Sequence, residues 1–398
     1  MVPIEESSRT APLPQEPVWR DIVVIGAGVA GTSAASAFAR QGLSVVLIDV
    51  HARHPIDFRA EKIGSQQMDY LEAFGLGEAA YGQMTPFDGV WVHRFGRIIE
   101  KKTTREYASH YEDIVNALRE GLSPAVEVVI GRVDTLETSD DRQQVVLADG
   151  KRYSTRLLIV ATGLGDTIRR KLGIEREVIS ANHSLAFGFD LTNKAADFPF
   201  PSLIYTSEAP RDKAAYLTVF PVGDKMRANL FCYREVTEAW SHAFRKDTVA
   251  SLRNFMPDLE RLFGPIGTAG HVTARPIDLI RVKGHRRPGA VLLGDAFFTV
   301  CPSSGTGMDK ALHDVDRLSH YLPQWFSTPG MSAGKIGQFY DDPLKQERDT
   351  HAVGISVRAR SMRMDKGPIW QARRLKSAVL VRAAYRVRDV FRPAAFGG

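Results

Sequence analysis

Three glycines directly after a short apolar segment constrain the fold of this chain more than any other feature. Gly26, Gly28 and Gly31 form a GxGxxG pattern after the apolar residues 22–25. In a strand–turn–helix unit, the first glycine permits a tight turn, the second lets the backbone approach a pyrophosphate, and the third lets the helix pack on the strand. The helix N-terminus, which includes Ala30, offers free N–H groups to phosphates. The pattern predicts a dinucleotide-binding α/β unit.

The next predicted strand ends in Asp49, 18 residues after Gly31. A carboxylate in this place accepts hydrogen bonds from ribose hydroxyls and repels a 2′-phosphate, so this loop disfavours NADP.

A second glycine-rich turn lies far along the chain. An apolar strand ends at Gly294 and Asp295, and Pro302, Gly305 and Gly307 shape a turn before a helix predicted over residues 306–321. A helix N-terminus of this kind binds an anion or an electron-rich ring. Two such sites, separated by more than 260 residues, indicate a flavoprotein rather than a simple NAD dehydrogenase.

These motifs identify a family resemblance. The chain resembles the class A FAD-dependent monooxygenases, the p-hydroxybenzoate hydroxylase-like group, whose second motif runs GD-A-x-H-x3-P-x2-G-x-G-x-N-x4-D. Phe298 stands where His is common, and Asp309 where Asn is common. The resemblance implies that Asp295 binds hydroxyls of the ribityl or ribose groups. It also implies that the backbone from Gly305 to Asp309, which includes Met308, faces the pyrimidine side of the flavin ring. The matching residues are Gly294, Asp295, Pro302, Gly305, Gly307 and Asp314.

Two further segments extend the resemblance. Arg59 precedes a predicted helix that ends in Phe-Gly-Leu, and the family implies that this arginine contacts the cofactor. Residues 160–174 align with a short Asp-Gly motif linked to both FAD and NAD(P)H, in which Gly163 matches and Thr162 replaces the Asp. Tyr111 stands where the family has an arginine at the start of a helix. We expect FAD as the cofactor and NAD(P)H as the electron donor. The predicted cofactor-binding residues are Gly26, Gly28, Ala30, Gly31, Asp49, Arg59, Val133, Gly163, Asp295, Gly305, Gly307, Met308 and Asp309.

The order of apolar segments and turns predicts an α/β fold: a discontinuous FAD-binding Rossmann-like domain with an inserted antiparallel β-sheet substrate domain and a helical C-terminal tail. The tail is expected to be interrupted at Gly354 and at Gly367 and Pro368. The predicted ranges are a disordered leader at 1–18, the FAD-binding domain at 19–80, 105–180 and 281–330, the substrate domain at 81–104 and 181–280, and the C-terminal region at 331–398.

Charge is concentrated at the end of the chain. Residues 357–398 carry a net charge of +9 and the rest carries −3, so binding of nucleic acid is a poor inference from the overall +6. Leu380, Ala384, Val387 and Phe391 form an apolar face in this tail, which predicts packing on the domain or contact with a membrane surface or carrier protein. Two distant cysteines fit a reducing, cytoplasmic compartment, and we expect no metal site.

The resemblance also implies the reaction. In such enzymes reduced flavin reacts with O2 to form a C4a-hydroperoxide, which hydroxylates or epoxidises a small aromatic or polyene-like metabolite, as in secondary metabolism. Alternatives are a reductase or dehydrogenase of the same fold, a flavin halogenase, and a non-catalytic flavoprotein. Candidate catalytic residues are His183, Tyr216, His271, Arg275 and Pro302. Candidate substrate-lining residues are Phe187, Phe189, Tyr205, Tyr216, Phe220, Phe231 and Tyr233, of which most are expected to be ordinary sheet core and only a few to face a substrate.

Overall fold

The computed structural model describes residues 16–207 and 212–377, together with Val379. The predicted leader therefore lies largely outside the described residues, although the first strand begins at Val18. The strands are β1 Val18–Ile25, β2 Val45–Asp49, β3 Ala60–Gly64, β4 Thr85–Arg94, β5 Arg97–His110, β6 Val126–Ile130, β7 Val133–Glu137, β8 Gln143–Leu147, β9 Arg152–Val160, β10 Glu175–Lys194, β11 Leu203–Tyr205, β12 Ala214–Val222, β13 Lys225–Cys232, β14 Thr268–Lys283 and β15 Ala290–Leu292. The helices are α1 Val29–Arg40, α2 Ser65–Ala73, α3 Gly77–Gln83, α4 Tyr111–Glu120, α5 Thr167–Lys171, α6 Ala239–Lys246, α7 Thr248–Phe255, α8 Asp258–Phe263, α9 Gly307–Phe326, α10 Ala333–Tyr340 and α11 Pro343–Met364.

The first sheet is built around buried parallel strands. Its order is β6-β2-β1-β9-β8-β7, and β15 pairs with β9. β1 is parallel to both β2 and β9, and β15 is parallel to β9. The near-continuous apolar residues of β1, β2 and β9 explain this arrangement, because a parallel strand covered on both faces has no polar side to present to water. Ile22, Val46 and Leu158 are fully buried.

The second sheet has eight strands in the order β14-β10-β13-β12-β11-β4-β5-β3. Its pairs are antiparallel, apart from β11 with β4. One face packs against α6, α7 and α8 in a core that includes Leu217 and Val219 of β12. Because side chains alternate between the faces of a strand, Tyr216 and Phe220 point to the opposite face. The predicted α/β architecture, with an inserted antiparallel sheet and C-terminal helices, is confirmed.

The alternation also corrects part of the predicted substrate lining. Phe187, Phe189 and Tyr205 belong to the core under α6, α7 and α8. They therefore point away from the face that carries Tyr216 and belong to the sheet core, as expected for most of these aromatic residues. The sequence indicates that these strands are aromatic, but it does not show which face of the sheet each side chain occupies.

The domain ranges remain a prediction. The strand pairing shows at which residues the chain passes from one sheet to the other. β3 belongs to the second sheet, and β5 continues in it as far as His110. β10 begins at Glu175 and pairs with β14 over most of its length.

The C-terminal region is helical, as predicted, but α11 runs without a break through Gly354. The predicted interruption there was wrong, because packing of α11 on the body offsets a mid-helix glycine cost of about 1 kcal/mol. A break does occur after Met364, and residues 368–377 are helical again. The predicted apolar face from Leu380 to Phe391 lies outside the described residues. In the part of the chain that the structure describes, no helix is long and apolar enough to span a bilayer.

Candidate functional site

The predicted cofactor residues cluster at one edge of the first sheet. Parallel register aligns the ends of β1, β2, β9 and β15 there. A chain of backbone hydrogen bonds links the loops that follow, from Gly26 N to Ile48 O at 2.8 Å, Ala161 N to Ile25 O at 2.8 Å and Leu293 N to Val160 O at 3.0 Å. Segments that are far apart in the sequence are therefore fixed side by side, at the carboxyl ends of the strands where α/β sheets bind ligands.

The first loop is packed too tightly for side chains. Gly26 has φ of +101°, and a Cβ there would lie 2.5 Å from the Ala161 carbonyl oxygen. A Cβ on Gly31 would lie 1.8 Å from the Gly26 carbonyl oxygen. Both glycines are thus required by sterics, and the loop keeps the backbone N–H groups at the start of α1 open to a ligand.

Asp49 is held by a residue that the sequence did not point to. Its carboxylate accepts hydrogen bonds from Ala27 N at 2.6 Å and His51 N at 2.9 Å. Arg119, in the last turn of α4, lies 3.2 Å from the same carboxylate and donates to the Ala27 carbonyl at 2.6 Å. This arginine ties the glycine loop to the end of β2, and its position in a last helical turn was the only sequence signal.

The Thr162 turn and the Gly294 turn meet the first loop. A Cβ on Gly294 would lie 3.5 Å from the Cβ of Ala30. Arg169 is buried and donates to the Ala296 carbonyl at 3.1 Å, which joins α5 to the Gly294–Ala296 turn. The Thr162 hydroxyl is buried and has no hydrogen-bond partner among the described residues. A buried polar group without a partner is costly, so this orphan oxygen favours a ligand in the groove.

Arg59 lies over the ring of Tyr111, with the guanidinium carbon 3.6 Å from the ring centroid. Its side chain also pairs with Asp57 at 2.8 Å. Tyr111 therefore supports a cation where the family places an arginine, and its hydroxyl would lie 3.4 Å from a Cβ on Gly28. Burial raises the pKa of Asp295 and of the neighbouring Glu61 above their ordinary values. Hydroxyl donors of a bound ligand would stabilise these carboxylates in the charged form.

The second glycine turn has open space above it. Gly305 has φ of +66°, and a Cβ on it would meet nothing within 4 Å. Gly307 and Met308 open α9 and are half-buried. Asp309 accepts from Gln67 Nε2 at 2.9 Å and pairs with Arg348 at 2.9 Å. The acid that replaces the family's asparagine is therefore neutralised by an arginine from α11.

Four charged side chains beside this turn pair with one another, and three of them are buried. Lys345 lies 2.7 Å from Asp314 and 3.0 Å from Asp349, and Lys310 lies 3.1 Å from Asp314. Asp314 also accepts from Gly294 N at 2.9 Å. Burial acts to raise the pKa of Asp314, but the two ammonium groups outweigh it and hold that pKa below its ordinary value. The network connects α9 and α11 to the Gly294–Ala296 turn.

The predicted catalytic candidates are not all brought together. The Tyr216 hydroxyl donates to the Ser303 carbonyl at 2.8 Å, so Tyr216 and Pro302 are neighbours at the second turn. Both ring nitrogens of buried His183 lie near protein oxygens, at 3.2 Å from Ser180 and from the Ser356 carbonyl. Burial also lowers the pKa of His183, and these contacts favour a structural role.

The other two candidates lie on β14, which β10 and β13 separate from β12, and Arg275 shares a cross-strand row with Ala186, Phe231 and Tyr216. His271 and Arg275 are exposed on β14, and Arg275 lies 5.6 Å from the ring of Phe58. Val133 is buried at the start of β7, shortly after Gly131, whose N–H donates to the Asp49 carbonyl at 2.8 Å. No group of three or more potential metal ligands occurs among the residues described.

The residues present fit FAD. The glycine loop leaves room for a pyrophosphate, Asp49 and Asp295 are placed for hydroxyls, the Thr162 oxygen needs a partner, and the space above Gly305 is open. The site residues themselves remain predictions. Sequence reasoning missed Arg119, Gln67, Lys310, Lys345 and Arg348, because each of them has a partner on another element that is distant in the sequence.

Comparison with known proteins agrees with this geometry. A family model described as "FAD binding domain" matches residues 20–328. Squalene epoxidase erg1 of Aspergillus fumigatus is 26% identical over 328 residues, which are 76% of this chain and 66% of that protein. The 3-demethoxyubiquinol 3-hydroxylase of Escherichia coli is 22% identical over 84% of this chain and 90% of its own length.

Solved structures share the fold. The p-nitrophenol 4-monooxygenase PnpA of Pseudomonas putida superposes with a TM-score of 0.72 at 15% identity, over 92% of this chain and 94% of that one. PqsL of Pseudomonas aeruginosa, a probable FAD-dependent monooxygenase, gives 0.67 at 19% identity, over 86% and 97%. The predicted family and cofactor are confirmed: the chain belongs to the FAD-binding domain family and is a flavoprotein oxidoreductase of the class A monooxygenase type.

Proposed function

We propose that this protein is an FAD-dependent monooxygenase that inserts one oxygen atom of O2 into a small aromatic or polyene-like metabolite by hydroxylation or epoxidation. The observation that carries the proposal is the contact between the second sheet and the flavin-side turn. Tyr216 joins β12 directly to the Pro302–Ser304 turn, so the groove proposed for the ring of FAD adjoins the sheet face that carries Tyr216 and Phe231.

In the proposed reaction, the sheet face that carries Tyr216 serves to exclude water. Bound FAD supplies reducing electrons and activated oxygen, and the protein must keep water away from that chemistry. Tyr216 and Phe231 are neighbours on this face, with ring centroids 5.2 Å apart. Burial raises the pKa of Tyr216, so its hydroxyl keeps its proton and remains a hydrogen-bond donor to the turn.

The relatives favour a lipophilic substrate. Squalene epoxidase and 3-demethoxyubiquinol 3-hydroxylase are named for substrates that are, respectively, a polyene and a quinol. The aromatic pair of Tyr216 and Phe231 suits the apolar part of molecules of both kinds. We further propose NAD(P)H as the electron donor and a cytoplasmic location. Both cysteines are free and buried, which fits a reducing compartment. A membrane or carrier contact of the tail remains a prediction.

The test is oxygen incorporation by the purified, FAD-loaded protein. Squalene and a short-chain quinol are supplied with NADH or NADPH under isotopically labelled O2, and the products are analysed by mass spectrometry. We expect a product that carries one labelled oxygen, with substrate-dependent oxygen uptake. Turnover without oxygen would replace the proposal with a reductase, and protein that does not bind FAD would reject it.

A matched pair of variants tests the sheet contact. Tyr216→Phe removes the hydrogen bond to the Pro302–Ser304 turn and should increase the fraction of electrons lost to hydrogen peroxide. Tyr205→Phe changes the same residue type on the opposite face of the sheet and should leave that fraction unchanged. Equal peroxide release from the two variants would show that the contact has no role in excluding water.

A further inference from the structure

A large cavity lies beside the C-terminal helices, away from the predicted cofactor residues. Its volume is about 1340 Å³, and its walls come from α11, the helix at 368–377, the end of β14 and the residues after the Gly294–Ala296 turn. None of the predicted cofactor-binding or catalytic residues lines it. Small-molecule pockets usually measure about 300–1,000 Å³, so this space is large enough for a ligand with an extended body.

The inner wall of the cavity is apolar and aromatic. Phe297 and Phe298 are buried at 3% and 4% exposure, and Val353 and Tyr340 continue the surface. His285 lies 4.4 Å from the Tyr340 ring, and burial lowers its pKa to about 4, so its ring is neutral at physiological pH. This wall favours an uncharged, apolar ligand body.

The outer rim of the cavity is cationic. Arg281, Arg358, Arg373 and Lys376 line it, and none of them has an ion-pair partner within residues 16–207 and 212–377. The remaining arginine of the rim, Arg286, is held by Asp341 at 2.6 Å. The carboxylate that reaches the cavity, Asp349, is already paired with two buried lysines. The cavity therefore has an excess of positive charge at its mouth.

A glycine of α11 lines the cavity and faces free space. Gly354 lies inside this helix and lines the cavity, and a Cβ there would meet nothing within 4 Å. Glycine inside a helix is less favourable than alanine. The position thus combines a local cost in stability with free space.

Exposed apolar side chains surround the same opening. Ile179 and Val357 line the cavity with 46% and 43% exposure. Large exposed apolar residues that are grouped around a cavity mark binding surfaces more often than scattered ones do.

We propose that this cavity binds an anionic single-chain amphiphile, a molecule with an apolar chain and one carboxylate or phosphate group. The chain occupies the aromatic inner wall, and the anionic group meets the guanidinium groups of Arg358 and Arg373 at the rim. The proposal concerns a site separate from the FAD groove and does not depend on the proposed monooxygenase reaction.

The experiment uses the full-length, FAD-loaded protein and dansyl-labelled undecanoic acid as a fluorescent probe. We expect saturable binding with a blue-shifted emission, and weaker binding of the uncharged methyl ester. Arg358→Glu combined with Arg373→Glu should weaken binding of the acid by about tenfold or more, because two attractive charges become repulsive. Arg142→Glu combined with Arg152→Glu reverses two exposed arginines elsewhere and should leave binding unchanged.

Gly354 provides a second, charge-independent test. Gly354→Phe projects a ring into the cavity and should weaken probe binding, whereas Gly354→Ala should preserve it and raise the thermal stability. Both variants should retain FAD, which shows that the flavin domain remains folded. Probe binding that is unchanged by Gly354→Phe, or that is equal for acid and ester, would overturn the proposal. If the protein bound only phosphatidylglycerol vesicles and not the monomeric probe, the site would be a membrane-contact surface. That result would also overturn the proposal.

Discussion

At the scale of single residues, the cofactor groove depends on side chains that bridge loops rather than on the glycines alone. Arg119 touches the Ala27 carbonyl, the His51 carbonyl and the Asp49 carboxylate. It therefore fixes both the turn that is predicted to receive the pyrophosphate and the acid that is predicted to bind the ribose. Hydrogen bonds that involve a charged group contribute about 1.5–3 kcal/mol each, so one side chain has a large influence here.

Replacing Arg119 tests this bridging role. Arg119→Ala should raise the dissociation constant for FAD about tenfold or more, because Asp49 loses its cation and the loop loses an anchor. Isothermal titration of FAD into the apoprotein gives the constant. Arg53→Ala is the control, since Arg53 forms an exposed ion pair with Glu120, which belongs to the same helix as Arg119. If the two variants bind FAD equally well, Arg119 has no positioning role.

At the scale of elements, α9 and α11 are locked together by buried charges rather than by apolar contact alone. Asp314 and Lys310 belong to α9, and Lys345 and Asp349 belong to α11. Loss of one partner leaves another charge buried without compensation, which costs far more than loss of a surface pair.

The pairing predicts both stability and its dependence on pH. Asp314→Asn should lower the free energy of unfolding by about 3–5 kcal/mol, whereas Asp341→Asn, in an exposed pair with Arg286, should change it by about 1 kcal/mol or less. The pKa of Asp314 is depressed in the folded protein. Its stabilisation is therefore complete above the unfolded pKa of about 3.9, and it is lost as the pH falls from there through the folded pKa.

Urea unfolding at several pH values between neutrality and strong acid measures this effect. The natural protein should lose stability more steeply than Asp314→Asn as the pH falls below about 4. Parallel profiles for the two proteins would mean that Asp314 titrates alike in the folded and unfolded chain.

Comparison of sequence and structure at this scale shows what local patterns can reveal. The GxGxxG turn, the strand that ends in Asp49 and the helix after Gly307 were predicted, because each is encoded by neighbouring residues. The ion pair between Asp309 and Arg348 was not, because its partners come from different helices. The continuity of α11 through Gly354 was also missed, since tertiary packing and not propensity decides it.

At the scale of the whole molecule, bound FAD should stabilise the fold by holding several loops together. The groove draws on loops after β1, β2, β9 and β15, which the hydrogen bonds at the sheet edge hold together. A ligand that binds only the folded protein stabilises it by about 2.7 kcal/mol at a concentration of 100 times its dissociation constant. A ligand that touches all of these loops at once should therefore raise the unfolding temperature of the entire chain.

Thermal unfolding at increasing FAD concentration checks this expectation. The midpoint should rise continuously with the logarithm of the FAD concentration, and riboflavin, which lacks the ADP portion, should produce a much smaller rise. An unfolding midpoint that does not respond to FAD would mean that the loops do not form one binding site.

The strand order has a consequence for how the chain folds while it is being synthesised. β1 lies between β2 and β9, and β15 joins β9 from more than a hundred residues later. A nascent chain therefore cannot complete the groove until the ribosome has released Asp295 and the start of α9. Binding of FAD must therefore follow synthesis of most of the polypeptide. Until then the glycine loop after β1 has no ligand, and this is the period in which chaperone protection matters most.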